Sequence, residues 1–188
     1  MSWIYHITNQ FDSMTSDEMN NNANLIKEQL EAYGWSLNAI CGLLGNIQLE
    51  SYINPAQWQN GYPVGSRSGG YGLVQWTPSS KYTDWCVGQG YDITDGSMQV
   101  HNIHVQGSGT EYYPTASYPL TYDEFKISLE SPSYLALVFL KNYERAGDEK
   151  ISKRQEYANN WYQYFSGQPP VPPKPSKRKG MPLWFYIL

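Results

Sequence analysis

Charge is scarce in this 188-residue chain: Asp, Glu, Lys and Arg make up 16% of it, and the net charge at neutral pH is −4. That balance excludes the basic footprint of a nucleic-acid-binding surface. Cysteine is scarcer still, with only Cys41 and Cys86, so the fold is not one stapled by disulfides. Cys41 sits in an apolar stretch and reads as a buried thiol; sequence alone leaves a bond between it and Cys86 open. There is no clear membrane segment, which would need about 20 apolar residues. Met1-Ser2-Trp3-Ile4-Tyr5-His6 has no basic n-region and no apolar h-region, which predicts no secretory signal. Metal ligands are few: His101 and His104 share a helical face at i, i+3, with His6 remote and no Cys/His cluster to complete a site. Cys86 likewise has no Cys–His signature beyond those two histidines. No metal and no cofactor is expected.

What the chain has in quantity is aromatic side chains, 17 Tyr and 7 Trp. Together with so little charge, they suit a surface that stacks on neutral polar ligands such as sugars, although most should simply build the core. The hydrophobic fraction of 40% supports a core, and the length suits one domain with a small appendage.

Residues 1–15 read as a loosely patterned lead-in. Ser16-Asp17-Glu18 starts a helix that runs through Ala23, Ile26 and Leu30 to a stop at Gly34. Ser36 caps the next helix, close enough that the two should pack as neighbours. Gly42 and Gly45 weaken that second helix by about 1 kcal/mol each relative to Ala, which predicts close packing of another helix against them. Turn signals then dominate residues 54–76, with Tyr71, Leu73 and Val74 as a short strand. Pro78-Ser79-Ser80-Lys81 opens a helix towards Gly88–Gly90, and Asp95 or Ser97 caps one containing Met98, Val100, Ile103 and Val105. Residues 107–120 form a loop, and helices follow over about 121–129, 132–145 and 148–165. The expected class is α+β, mainly helical, with a small β-hairpin after the second helix. From Gly167 the chain is rich in proline and then basic, a stiff linker over 167–180. It leads to an apolar stub, 181–188, expected to be the start of a truncated second module.

Glu50 stands out within this frame. At about 100° per residue, Leu43, Ile47 and Glu50 share one helical face, and Asn54-Pro55 stops the chain just beyond. A carboxyl at the end of an apolar stripe is half desolvated, which favours the neutral form, and a general acid has to be neutral to donate. Read alone, it is more simply a solvated helix-ending Glu. The segment about 20 residues later changes the weighing.

Gly45-Asn46 and Glu50-Ser51, followed by Tyr71-Gly72-Leu73-Val74-Gln75-Trp76, resemble the phage tail lysozyme family of the lysozyme-like superfamily. There a Gly-Asn-x-x-x-Glu-Ser helix end precedes Tyr-Gly-Leu-x-Gln-Trp. The resemblance covers about residues 20–165, and implies a lysozyme-like glycosidase domain over 1–166. The implied activity is hydrolysis of the β-1,4 bond between N-acetylmuramic acid and N-acetylglucosamine, with Glu50 as general acid. Gln75 and Tyr71 match cleft positions, and Ser51 is the partner in the Glu-Ser pair. A carboxamide such as Gln75 offers both donor and acceptor, and Gly70 and Gly72 allow close approach of backbone to sugar. Trp76, Trp58 and Tyr143 are further candidate substrate contacts, each with a plain core role as the alternative.

Glycosidases usually pair two acids, yet no Asp or Glu occurs between Glu50 and Asp84. Asp84, Asp92, Asp95 and Glu111 remain as distant candidates, and a single-acid mechanism is favoured. The expected partners are peptidoglycan glycan strands and phage tail proteins, with a location in the virion tail for penetration of the host wall. Two alternatives stay open: a lytic transglycosylase using the same site, and a non-catalytic structural tail protein on the same fold.

Overall fold

The computed structural model describes residues 1–11, 13–109, 111–145 and 150–167; the expected linker beyond 167 and the stub at 181–188 lie outside them. The mainly helical expectation holds. The helices are α1 (Ser16–Ala32), α2 (Leu37–Ser51), α3 (Ser80–Gly88), α4 (Gly96–Val105), α5 (Tyr122–Ile127), α6 (Pro132–Phe139) and α7 (Ile151–Ser166). A π-helical turn, Leu140–Glu144, extends α6.

Local chemistry explains where these helices start. Thr15 and Glu18 form a reciprocal capping box on α1, and Thr121 and Glu124 form one on α5. Ser36 caps α2 through Ala39 N, and Asp95 caps α4 through Ser97 N and Met98 N. Pro132 opens α6 behind a Ser131 cap.

Helix α2 is the axis of the molecule. Residues 39–47 are buried without a break, as expected of a helix enclosed on all sides. It packs mainly against α7 and α6, with α1 and α5 covering the rest. The two glycines of α2 make that possible. A Cβ on Gly42 would sit 2.8 Å from Leu135 Cβ on α6; one on Gly45 would meet the Arg154 carbonyl oxygen and lie 2.9 Å from Ala158 Cβ on α7. These glycines are the close helix contacts that their sequence cost implied.

The expected β-hairpin does not form among the described residues. In its place are isolated bridges, Trp58 with Tyr71 and Tyr71 with Trp76. The backbone explains why: Gly72 has φ +79° and Gln75 φ +49°, and left-handed residues at that spacing interrupt an extended ladder. The segment is a compact loop folded over the end of α2.

Both cysteines are free and buried, so the question of a Cys41–Cys86 bond resolves to two thiols. No helix among the described residues is long and apolar enough to cross a membrane.

Candidate active site

The C-terminal end of α2 carries the site. Glu50 and Ser51 are its last two residues, and Tyr52 and Ile53 follow with φ of +54° and +59°. Two successive left-handed residues, one of them β-branched, are strained backbone of the kind found at functional sites. Ser51 Oγ lies 2.9 Å from Leu73 O and 3.1 Å from Ile47 O, so it fastens the helix end to the loop carrying Gln75. Gln99, fully buried, clamps that loop from the other side: its Oε1 accepts from Leu73 N at 2.8 Å and its Nε2 donates to Pro55 O at 2.6 Å.

A cavity of about 430 Å³ opens at this point, lined among others by Glu50, Gln75, Glu144, Arg154, Lys150 and Phe11. A larger cavity, about 590 Å³, is lined by Trp58, Arg67 and Asp84. Its one exposed ion pair is Arg67–Asp84, with both contacts under 3 Å, a surface bridge rather than a reactive group. The smaller cavity gathers the chemistry and is the candidate site.

Glu50 is paired there. Its Oε1 accepts from Arg154 Nη2 at 2.5 Å, and the second arm of the guanidinium, Nη1, donates to Asn46 Oδ1 at 2.9 Å. Arg154 is 2% exposed and Glu50 19% on the side chain. Asn46 in turn donates Nδ2 to Gly42 O and to Ala136 O, both at 3.0 Å. Asn46 and Glu50, at i and i+4, thus present one face of α2 to one arginine. The Gly45-Asn46-x-x-x-Glu50-Ser51 motif has a physical reading at every fixed position. Gly45 admits the α7 backbone, Asn46 and Glu50 hold Arg154, and Ser51 holds the loop.

A second carboxyl faces the same cavity, and it is one that the sequence reading missed. Glu144 ends the π turn. Its Oε1 is fully enclosed and has no hydrogen-bond partner among the described residues, although the residue as a whole is only half-buried. Burial, and then the negative charge of Glu50, raise its carboxyl well above the usual carboxylate range; Arg154 and Arg145 oppose this, and Glu111 adds to it. The π turn sets the position. Leu140 O accepts from Arg145 N at 2.7 Å, Asn142 donates to Tyr118 O at 2.9 Å, and Arg145 Nη1 donates to Glu111 O at 2.8 Å. A π insertion shifts the residues after it around the helix, and such insertions recur at functional sites.

The other sequence candidates fall into two groups. Gln75 lines the cavity, and its Nε2 donates to Gln57 O and Gly72 O at 3.1 and 3.0 Å, which leaves Oε1 as the group to offer a ligand. Tyr71, Trp76, Tyr143 and Ser51 are buried. Trp76 stacks on Tyr82 with ring centroids 4.5 Å apart and donates Nε1 to the Tyr143 hydroxyl at 3.2 Å, so these rings form the wall behind the cleft rather than its surface. Trp58, also buried, lines the other cavity. Gly70 and Gly72 make room for Gln75 and Gln99 side chains, not for open approach from outside. Of the loop acids, Asp92 caps Thr94, Asp95 caps α4, and Glu111 pairs with Lys81 and Arg145. His101 and His104 pack among aromatic rings, with Tyr33 stacked on His104 at 4.3 Å.

Residues 21–165 match the profile of the phage tail lysozyme family. The chain belongs to that family. It is also similar to morphogenesis protein 1 of Bacillus phage B103, at 37% identity over 165 residues, which is 88% of this chain. The chain spans 44% of the length of that relative.

Proposed function

We propose that this phage tail lysozyme domain is a muramidase that hydrolyses the β-1,4 bond between N-acetylmuramic acid and N-acetylglucosamine in peptidoglycan. Glu50 delivers the proton to the glycosidic oxygen. The observation that carries this reading is the position of Glu50 at the strained end of α2, on the wall of a cavity that also presents Gln75 and the Arg154 guanidinium. Gln75, with its nitrogen held by backbone carbonyls, offers an acceptor oxygen for the amide N–H of an N-acetyl group. As the carbon–oxygen bond breaks, positive charge develops on the sugar ring, and the carboxylate left at position 50 faces it. Water then adds to the ring carbon. The relative is named for phage morphogenesis, which fits an enzyme built into a tail and used on the host wall during entry, with other tail proteins as its neighbours.

The test is mass spectrometry of soluble products after the chain digests purified peptidoglycan, beside Glu50→Gln. Products with reducing-end muramic acid that vanish in the variant are the expected result. Anhydro-muramic products would move the reaction to a lytic transglycosylase at the same site. A folded wild-type chain that releases no cleaved glycan would overturn the enzyme reading in favour of a structural tail protein.

A further inference from the structure

One group in the cavity has no task in that reaction. Glu144 has an enclosed carboxyl oxygen with no hydrogen-bond partner among the described residues, on the wall that also holds Glu50. An acidic oxygen buried without a donor is costly as an anion, and the cost disappears when it carries a proton. Glu50, by contrast, is in close contact with a buried guanidinium, an arrangement suited to its charged form. A proton donor that rests as a carboxylate needs a source for its proton.

We propose that Glu144 is a positioning residue for glycan cleavage: it holds the proton that arms Glu50, and the two carboxyls share that proton under the single positive charge of Arg154. The proposal rests on the reading of Glu50 as the acid. In the resting site Glu144 is neutral, Glu50 negative and Arg154 positive, a net charge of zero. Arming moves one proton from Glu144 to Glu50; the charge at position 144 becomes negative and the sum stays zero. Glu50 then gives the proton to the glycosidic oxygen as the bond from the ring carbon to that oxygen breaks. Its electron pair stays with the departing sugar. The extra negative charge in the cavity balances the positive charge on the ring. Water adds its oxygen to the ring carbon, and the proton it releases returns to the pair of carboxyls. No oxidant, reductant or further co-reactant is needed.

The charged groups around Glu144 come from four places: Glu50 on α2, Arg154 on α7, Glu111 in the loop before α5, and Arg145 next in the chain, with Lys150 also on the cavity wall. Two of these are acids and three are bases. Among the described residues Glu50 and Arg154 are joined by a direct contact on the cavity wall, which is why the proton is assigned to this trio. Glu111 is tied instead to Lys81 and Arg145.

The experiment is the pH profile of peptidoglycan cleavage from about pH 4 to 9 for wild type, Glu144→Gln and Glu50→Gln. Glutamine at 144 keeps the shape and the neutral charge but has no proton to give. Its alkaline limb is expected to fall about one pH unit or more below that of wild type, so that the loss of kcat relative to wild type grows as pH rises. A profile merely scaled down at every pH, or one with an unmoved alkaline limb, overturns the proposal. So does a folded Glu144→Gln that is inactive at every pH, because Glu144 would then be the donor itself. Should Glu144→Gln not fold, carboxyl carbon NMR of wild type and Glu50→Gln decides the matter. Removing the charge at 50 is expected to lower the titration of the Glu144 carboxyl; no change overturns the sharing. The underlying reading fails by a different sign, an active Glu50→Gln or a wild type that releases no cleaved glycan.

Discussion

Single side chains decide most of what this cleft can do, and two of them were hard to read in the sequence. Arg154 looks like one more polar residue on an amphipathic helix. The signal that identifies it is its register: Arg154, Ala158 and Trp161 fall on the buried face of α7 at i, i+4 and i+7. An arginine on that face needs an acid partner. Glu144 gave less to work with, because its site depends on a π turn, and a one-residue insertion in hydrogen-bond register leaves no periodicity to count. Both have measurable consequences. Arg154→Met strips Glu50 and Asn46 of their donor and leaves two carboxyls on one cavity wall without that positive charge, so unfolding in urea is expected to show a loss of about 3 kcal/mol. Glu144 acts on stability through its proton. Its carboxyl titrates higher in the folded chain than in the unfolded one. The folded state therefore binds more protons between the ordinary carboxylate range and the raised folded value. Stability from this group is full below the ordinary range and is lost as pH rises through the raised value. Glu144→Gln is expected to flatten that decline, so its melting temperature should exceed that of wild type on the alkaline side and converge with it in acid.

At the level of elements, the helices were legible, and the loop that stands in place of the expected hairpin was not. Helix starts are written in short local signals, such as Ser16-Asp17-Glu18, Ser36 and Asp95 or Ser97; the structure keeps Ser36, selects Asp95, and caps the first helix one residue earlier, at Thr15 with Glu18. The strand expected at Tyr71, Leu73 and Val74 rested on residue type alone. It was overridden by the left-handed backbone at Gly72 and Gln75 and by Gln99, which takes the Leu73 N–H that a ladder would have used. The packing of α2 against α7 was foreshadowed by Gly45, and this contact is where stability and activity meet. Gly45→Ala puts a methyl group against Ala158 and the Arg154 backbone. Overpacking of this kind costs about 1–3 kcal/mol, and here any relief pushes Arg154 away from Glu50. Thermal unfolding is expected to fall together with glycan cleavage. Gly42→Ala, which meets α6 at Leu135, should cost similar stability with less effect on turnover. Equal losses of turnover in the two variants would mean that the α7 contact does not set the site.

The molecule as a whole extends its cleft beyond the part that matches its family. The match begins at residue 21, while the lead-in before it is stitched along the body. Trp3 Nε1 donates to Ser97 Oγ at 2.8 Å, and the buried Asn22 side chain bonds both Ile4 N and Ile4 O. Buried Asn54 does the same for His6, and Thr8 O accepts from Trp58 N at 2.8 Å. That path carries Phe11 to the cavity edge, where it is 51% exposed and meets Tyr52 edge-on at 6.3 Å. From the sequence these residues formed a loose lead-in, because most of these bonds are made by asparagine side chains and leave no helical or strand periodicity. On the proposed function, an exposed ring on the rim of this cavity offers a sugar a stacking face without touching the reacting bond. Phe11→Ala is therefore expected to raise KM for soluble glycan fragments several-fold and leave kcat close to wild type, the pattern of lost uniform binding. The melting temperature should hardly move, since so exposed a side chain contributes within about 0.5 kcal/mol. A fall in kcat with KM unchanged would place Phe11 in the chemistry instead, and an unchanged pair of constants would remove the lead-in from the binding surface.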